Sequence, residues 1–222
     1  MKIFRWIKWC VGLLLIVAIG TFVWLAFKGY EMYDQALKEA SLEETVEKVR
    51  SKPNYTPLNA LPKTYLDAVI AVEDHRFYKH GGIDPIAISR AVWNDIKAMN
   101  LVEGGSTITQ QLAKNLFFTQ KKEFTRKFAE IFMAFKIEHT YSKDEILELY
   151  LNSIYFGNGY YCVGDACEGY LGKTPREMTD SECTMLAGIP NAPSVYAPTV
   201  NPGLAKQRQK QVIKQMVERG YL

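Results

Sequence analysis

The sequence predicts a mainly α fold behind a single membrane-crossing helix, and three observations carry that reading. Apolar residues recur at three- and four-residue spacing along much of the chain, capping residues precede several of these stretches, and no alternating strand pattern of useful length occurs. Neither an internal repeat nor a low-complexity tract is present. With 222 residues and 48% hydrophobic content, the chain can build one core of moderate size plus an attachment. Its formal net charge of +3 is mild, so charge gives no argument for nucleic acid and leaves anionic lipids or phosphates as suitable partners.

The amino terminus sets the compartment. Residues 9–27, WCVGLLLIVAIGTFVWLAF, form an uncharged run whose helix would span ~28 Å at 1.5 Å per residue, about one hydrocarbon core. Lys2, Arg5 and Lys8 precede it and only Lys28 follows closely, so residues 1–8 are expected in the cytoplasm and the main domain outside, on a single-pass protein of the cell membrane. A cleaved signal peptide is the competing reading. The run is long for one, Trp24 and Phe27 sit at its far end, and no clear A-x-A site follows.

Residues 28–57 are expected to be a stalk or linker. Within them, 31–50 is charged with thin apolar periodicity, and Pro53 and Pro57 break the pattern, with Pro62 just beyond. A domain is expected over 58–222, nearly all helix. Asp84-Pro85 is an N-cap with a first-turn proline, after which Ile88, Val92 and Ile96 mark a stripe expected to be buried. Another helix is expected over 124–139 with Phe128, Phe132 and Phe135 as its apolar face. A further one covers 143–152 with Ile146, Leu149 and Tyr150 inward.

Chemistry concentrates first in 66–84, LDAVIAVEDHRFYKHGGID. Val69 and Val72 recur at helical spacing, and one turn after Val69 the same face carries Glu73. Asp74, Phe77, Tyr78 and His80 follow before Gly81-Gly82 frees the backbone for a turn. A helix end with solvated acids is the ordinary reading. Glu73 differs because Ala71 and Val72 precede it and Phe77 lies one turn on; a carboxylate held half out of water has raised proton affinity, which suits a general base or acid.

In 104–115, GGSTITQQLAKN, Ser106 or Thr107 can cap the next helix with Gln110 closing a capping box, and the helix amino terminus favours anions. Gln110 and Gln111 offer amides suited to sugar hydroxyls, and Lys114 adds a mobile positive charge. An ordinary capped helix accounts for the same pattern. Arg126 and Glu130 stand at i and i+4 with Lys127 beside them, readable as an exposed salt bridge of small energy or as a phosphate clamp oriented by an acid.

Several of these sets together resemble the peptidoglycan glycosyltransferases, the lipid II polymerases found alone or fused to penicillin-binding transpeptidase domains. The resemblance rests on EDHRFYKH at 73–80 with Gly82, GSTITQQ at 105–111, RKFAE at 126–130 and 143–152, in the same order and spacing, and extends from about residue 61 to 222 through YFGNG at 155–159 and LAGIPNAPSVYAP at 186–198. The family's last motif is only partly kept, as Arg208-Gln209 before Val212-Ile213. No transpeptidase sequence follows Leu222, so a monofunctional enzyme is expected, although a truncated bifunctional protein would read the same.

The resemblance implies a lysozyme-like α fold with a cleft between a globular head and a smaller apolar lobe touching the membrane, with Leu116, Phe117 and Phe118 as candidates for part of that lobe. It implies a growing glycan linked through pyrophosphate to undecaprenol as donor, and lipid II as acceptor. Glu73 matches the base and Glu130 the second acid, expected to orient cations or a divalent ion. Lys114, Arg126 and Lys127 would meet the departing pyrophosphate. Ser106, Thr107, Gln111 and Asn115 would contribute to substrate binding, as would Arg208, while Asp74, Phe77, His80, Gly105 and Asn152 belong to the structural motifs. No cofactor is required on this reading, though a divalent metal, Mg or Mn, is compatible with it. Membrane lipids are expected partners, cell-wall synthesis or division proteins are further candidates, and nucleic acid is not expected.

Of the cysteines, Cys10 lies in the span, leaving Cys162, Cys167 and Cys183 outside. Cys162 with Cys167 or with Cys183 could form one disulfide in an extracytoplasmic domain, and nothing in the sequence chooses between them. Metal binding by them is not expected, for no histidine sits at ligand spacing. Two other function classes remain open: a lysozyme-like lytic enzyme using one glutamate as acid, and an inactive membrane-anchored scaffold that binds lipid II. The cations at 114, 126 and 127 argue against the first, since a neutral sugar leaving group does not need them; the intact acids at 73 and 130 argue against the second.

Overall fold

The computed structural model describes residues 2–98, 104–118 and 124–222. These contain eleven α-helices and no strand: α1 (Lys2–Glu39), α2 (Leu42–Arg50), α3 (Lys63–Glu73), α4 (Pro85–Ala98), α5 (Ile108–Phe117), α6 (Phe124–Thr140), α7 (Lys143–Leu151), α8 (Val163–Leu171), α9 (Asp180–Gly188), α10 (Pro193–Tyr196) and α11 (Pro202–Glu218). The mainly α class read from the sequence is what the chain adopts.

Helix α1 is long and apolar enough to cross a membrane, and its apolar stretch is unburied by the rest of the chain. Only its second half packs on the body, against α6. Phe22 meets Phe128 edge-on at 5.1 Å between ring centroids, and Tyr30 meets Phe132 at 5.5 Å. Gly29 permits this approach, since a Cβ there would lie 2.3 Å from Cβ of Phe128. The phenylalanine stripe read as the apolar face of this helix thus meets the anchor at Phe128 and Phe132, and Phe135 is 49% exposed. The core side of α6 is Ala129, Met133, Ala134 and Ile137.

Two further expectations are corrected. The segment read as an exposed stalk includes α2, closed at its start by a Ser41/Glu44 capping box, and Leu42, Val46 and Val49 of α2 are buried in the main core. Three apolar residues at four- and three-residue spacing are enough for a nine-residue helix to dock on α7. The stripe on α4 is not buried: Ile88 is 38% and Val92 53% exposed, and the side chain of Ile96 lies outside the described residues. Helix α4 contacts the body instead through Ala91, where Gly105 lets the chain pass close to Ile88.

The centre of the body is α3, α5, α7 and α9, with α11 laid along α3 and α9. Ile146, Leu149 and Tyr150 point inward as expected. Asn152 follows α7 and, fully buried, accepts the Thr56 N–H at 2.8 Å and donates to the Thr56 carbonyl at 2.8 Å. Glu148 accepts from Tyr55 Oη and from the Leu58 N–H, so the segment before α3 is stitched to α7. Cys162, Cys167 and Cys183 are buried and unpaired, so neither disulfide pairing occurs. Cys162 accepts the Asp165 N–H at the start of α8, and Cys167 packs 3.4 Å from Met178 Sδ. Burial pushes these thiols up to about 11, 12 and 11, so they remain protonated.

Candidate active site

Glu73 is the last residue of α3, and Asp74 caps that helix by donating its backbone N–H to the Ile70 carbonyl. Asp74 Oδ2 accepts the Ile108 N–H at 3.0 Å at the first turn of α5, and Oδ1 pairs with His80 Nε2 at 2.8 Å. One carboxylate therefore joins the end of α3 to the positive end of α5. Burial lowers the proton affinity of His80, but the bonds to Asp74 and to the Gly81 carbonyl outweigh it and the pKa is raised. Phe77 lies fully buried beneath this turn.

Thr107 and Gln110 form the capping box of α5, and Thr107 Oγ1 also donates to the Gly82 carbonyl at 2.8 Å. Both are buried, 2% and 1% exposed, so their side chains hold the helix start rather than reach a ligand. Neither Gln110, read as an amide suited to sugar hydroxyls, nor Thr107, expected to contribute to substrate binding, is among the residues that line the adjoining cleft. Of the two candidate caps, Thr107 takes the role, which frees Ser106 to line the cleft.

That cleft, of about 820 Å³, is bounded by α3, α4, α5 and α11. Glu73, Ser106, Gln111, Lys114 and Arg208 come together on its walls, whereas Asn115 is half-buried on α5 and not on the wall. Gln111 Nε2 donates to Glu73 Oε2 at 2.8 Å, while Glu73 Oε1 is buried and accepts no hydrogen bond from a described residue. Burial pushes the Glu73 carboxyl above the usual range; the Gln111 bond, Arg208 and Lys114 pull it back, and Asp74 adds to the rise. Arg208 is held by the Gly188 carbonyl at 3.3 Å and Gln211 at 3.2 Å.

A cationic group gathers around Glu130 on α6 and reaches the cleft wall at Ser106. Arg126 Nε and Lys127 Nζ each stand 2.9 Å from an oxygen of Glu130, which is only 2% exposed, and Lys127 also donates to Ser106 Oγ at 2.7 Å. The pair at 126 and 130 is therefore a shielded one, not the exposed salt bridge. Lys114 is half-buried, with its proton affinity lowered by burial, raised by Glu130, and lowered again by Arg126 and Lys127.

Residues not singled out from the sequence complete the walls: His75, Arg90, Asn94, Pro190, Asn191, Lys214 and Arg219. A signal existed for the last helix, because Arg208, Gln211, Gln215 and Arg219 recur at three- and four-residue spacing and all line the cleft.

A helical body behind a membrane-length helix thus carries a shielded carboxylate held by a neutral amide in a cation-rich cleft, an arrangement suited to acid–base chemistry beside negative charge. The chain belongs to the family described as Transglycosylase, whose model matches residues 39–217, the peptidoglycan glycosyltransferases that its motifs resemble. It is 48% identical over 165 residues to penicillin-binding protein 1F of Bacillus subtilis (strain 168), covering 74% of this chain and 23% of the relative. To penicillin-binding protein 1A of Neisseria cinerea it is 49% identical over 164 residues (74% and 21%), and to that of Neisseria flavescens 46% over 168 (76% and 21%). The matched stretch thus spans between a fifth and a quarter of the length of these curated relatives.

Proposed function

We propose that this protein polymerises lipid II into β-1,4 glycan strands of peptidoglycan, with Glu73 as general base. The observation that carries the reading is the contrast between the Glu73 carboxylate, whose one hydrogen-bonded oxygen meets a neutral amide, and the cations beside it: Lys114 on the same cleft wall, and Arg126 and Lys127 paired with Glu130 just behind that wall, where Lys127 reaches Ser106. Glu73 takes the proton from the 4-hydroxyl of the acceptor sugar as that oxygen attacks C1 of the donor. The bond from C1 to the pyrophosphate breaks with inversion, and undecaprenyl pyrophosphate leaves with the electron pair. The cations oppose the charge that gathers on the leaving oxygen, which a lytic enzyme expelling a sugar hydroxyl would not need.

The site does not favour a divalent ion at Glu130. Each of its oxygens already faces a cation at 2.9 Å, and a metal there would need to displace Arg126 or Lys127. Glu130 instead orients those two side chains.

Helix α1 tethers the domain at the bilayer, and Ile86, Val92 and Trp93 on α4 with Phe124 and Phe135 on α6 are exposed apolar residues suited to a lipid-linked substrate's surroundings. Leu116, Phe117 and Phe118 are half-buried against the core and belong less fully to such a surface. The charge bias ahead of the apolar run of α1 supports a catalytic domain outside the cytoplasm; protease added to spheroplasts should digest the chain beyond Lys28, and full protection would reverse that orientation. Incubation of the purified protein with labelled lipid II, followed by separation of polymer from monomer, tests the activity. Glycan shortening in place of polymer growth would favour the lytic reading.

A further inference from the structure

Tyr150 is buried in α7, where a phenylalanine would fill the same space. Its hydroxyl is what distinguishes it, and that hydroxyl donates to Gln111 Oε1 at 3.3 Å. The other end of the Gln111 amide donates to Glu73 Oε2 at 2.8 Å. The two ends of an amide are almost the same shape, so only the polarity of their partners decides which way the group points. We infer that Tyr150 is a positioning residue for the general base: its hydroxyl fixes the Gln111 amide so that N–H faces Glu73, which holds Oε2 and leaves Oε1 as the oxygen that takes the proton.

This rests on Glu73 being the base. The order of the relay is set by its members, because an ionised carboxylate only accepts, so the amide must donate to it and must accept from the opposite side. Burial keeps the phenol protonated at any working pH, so Tyr150 is a permanent donor. Without its hydroxyl the amide is held at one end alone and can turn its carbonyl toward Glu73, replacing an attraction by a repulsion. The other groups facing Glu73 are Lys114 from α5, Arg208 from α11, and Asp74 and Tyr65 from α3 and its cap. Removing the Tyr150 hydroxyl takes none of these groups away.

The test uses the full chain in detergent micelles with ¹³C-labelled glutamate, the Glu73 carboxyl signal being the one lost in Glu73→Gln. In Tyr150→Phe its titration midpoint should rise by roughly half a pH unit, about a threefold gain in proton affinity from weakening one hydrogen bond. Gln111→Leu should raise it as well, and the double variant should shift no further than Gln111→Leu alone, because Tyr150 acts through Gln111. In lipid II polymerisation, Tyr150→Phe should lose roughly 3-fold in kcat on the acid side with KM within about twofold. An unmoved midpoint in folded Tyr150→Phe, or shifts that add in the double variant, overturns the assignment. If the unaltered protein makes no polymer, the reading of its function fails, while the titration still decides the relay.

Discussion

Asp74 binds the Ile108 N–H at 3.0 Å and His80 at 2.8 Å, so one buried carboxylate fixes where α3 ends relative to where α5 begins. Glu73 and Gln111 are brought together by that junction. Asp74→Ala removes both bonds and leaves a helix-terminal N–H and a buried imidazole without partners; a loss of about 1–3 kcal/mol per group is expected in denaturant unfolding. The pH dependence has a definite sign. The His80 pKa is raised in the folded state, so its stabilisation is present below about pH 6.5 and is lost as pH rises through the raised value. His80→Gln should therefore cost more stability at pH 6 than at pH 9, and equal costs at both would show that His80 folds neutral.

The cationic group gives a kinetic prediction. Lys114→Ala and Arg126→Ala should each slow polymerisation by ~10- to 1000-fold, the range for removing a preorganised charge stabiliser, with folding retained. Glu130→Gln should also slow it, because Arg126 and Lys127 lose the anion that orients them. Full rate in both cation variants, measured by polymer formation from labelled lipid II, would detach these residues from the leaving group.

How far the sequence can be read depends on what covers each apolar stripe. The apolar residues of α7 all enter the one main core, so Ile146, Leu149 and Tyr150 are legible at once. Helix α6 is covered on two sides, and its most conspicuous stripe, the phenylalanines, faces α1 while a quieter stripe of alanines, Met133 and Ile137 meets the core. Periodicity reports that a face is apolar and cannot say what covers it, which is also why the stripe on α4 reads as buried. In the site, Glu73, Ser106, Gln111, Lys114 and Arg208 carry a signal because charged or amide groups interrupt apolar spacing. Tyr150 carries none, since a buried tyrosine on a core face looks like packing until the partner of its hydroxyl is seen.

Asn152 tests a structural role. Its amide satisfies both the N–H and the carbonyl of Thr56 within the protein interior. Asn152→Ala should cost about 1–3 kcal/mol for each backbone group orphaned, read as a lowered unfolding midpoint, with little change in KM for the fraction that folds. A large KM change without loss of stability would instead make Asn152 a substrate contact.

Glu73→Gln separates the proposed base from its surroundings. The substitution keeps the volume and can still accept from Gln111, but it cannot take a proton from the acceptor hydroxyl at neutral pH. Polymerisation should fall by ~100- to 10,000-fold, the contribution of a general base. Binding of lipid II should persist, because Lys114 and Arg126 are untouched. For the unaltered enzyme, activity should disappear on acidification at a pH above ~4.3, the usual glutamate value, since burial raises the Glu73 pKa. The same shift fixes a stability sign. A carboxyl whose folded pKa is raised favours the fold when protonated, and that contribution is lost as pH rises through the raised value, so at neutral pH the ionised Glu73 costs stability. Glu73→Gln should then unfold at a higher temperature than the unaltered protein at pH 7, with the gap closing as pH falls below ~4.3. A variant that is inactive but less stable at pH 7 would mean that the charge at position 73 is held by its cationic neighbours more strongly than burial opposes it. Substantial chain growth by the folded variant would remove Glu73 as the base and leave Glu130 as the next candidate.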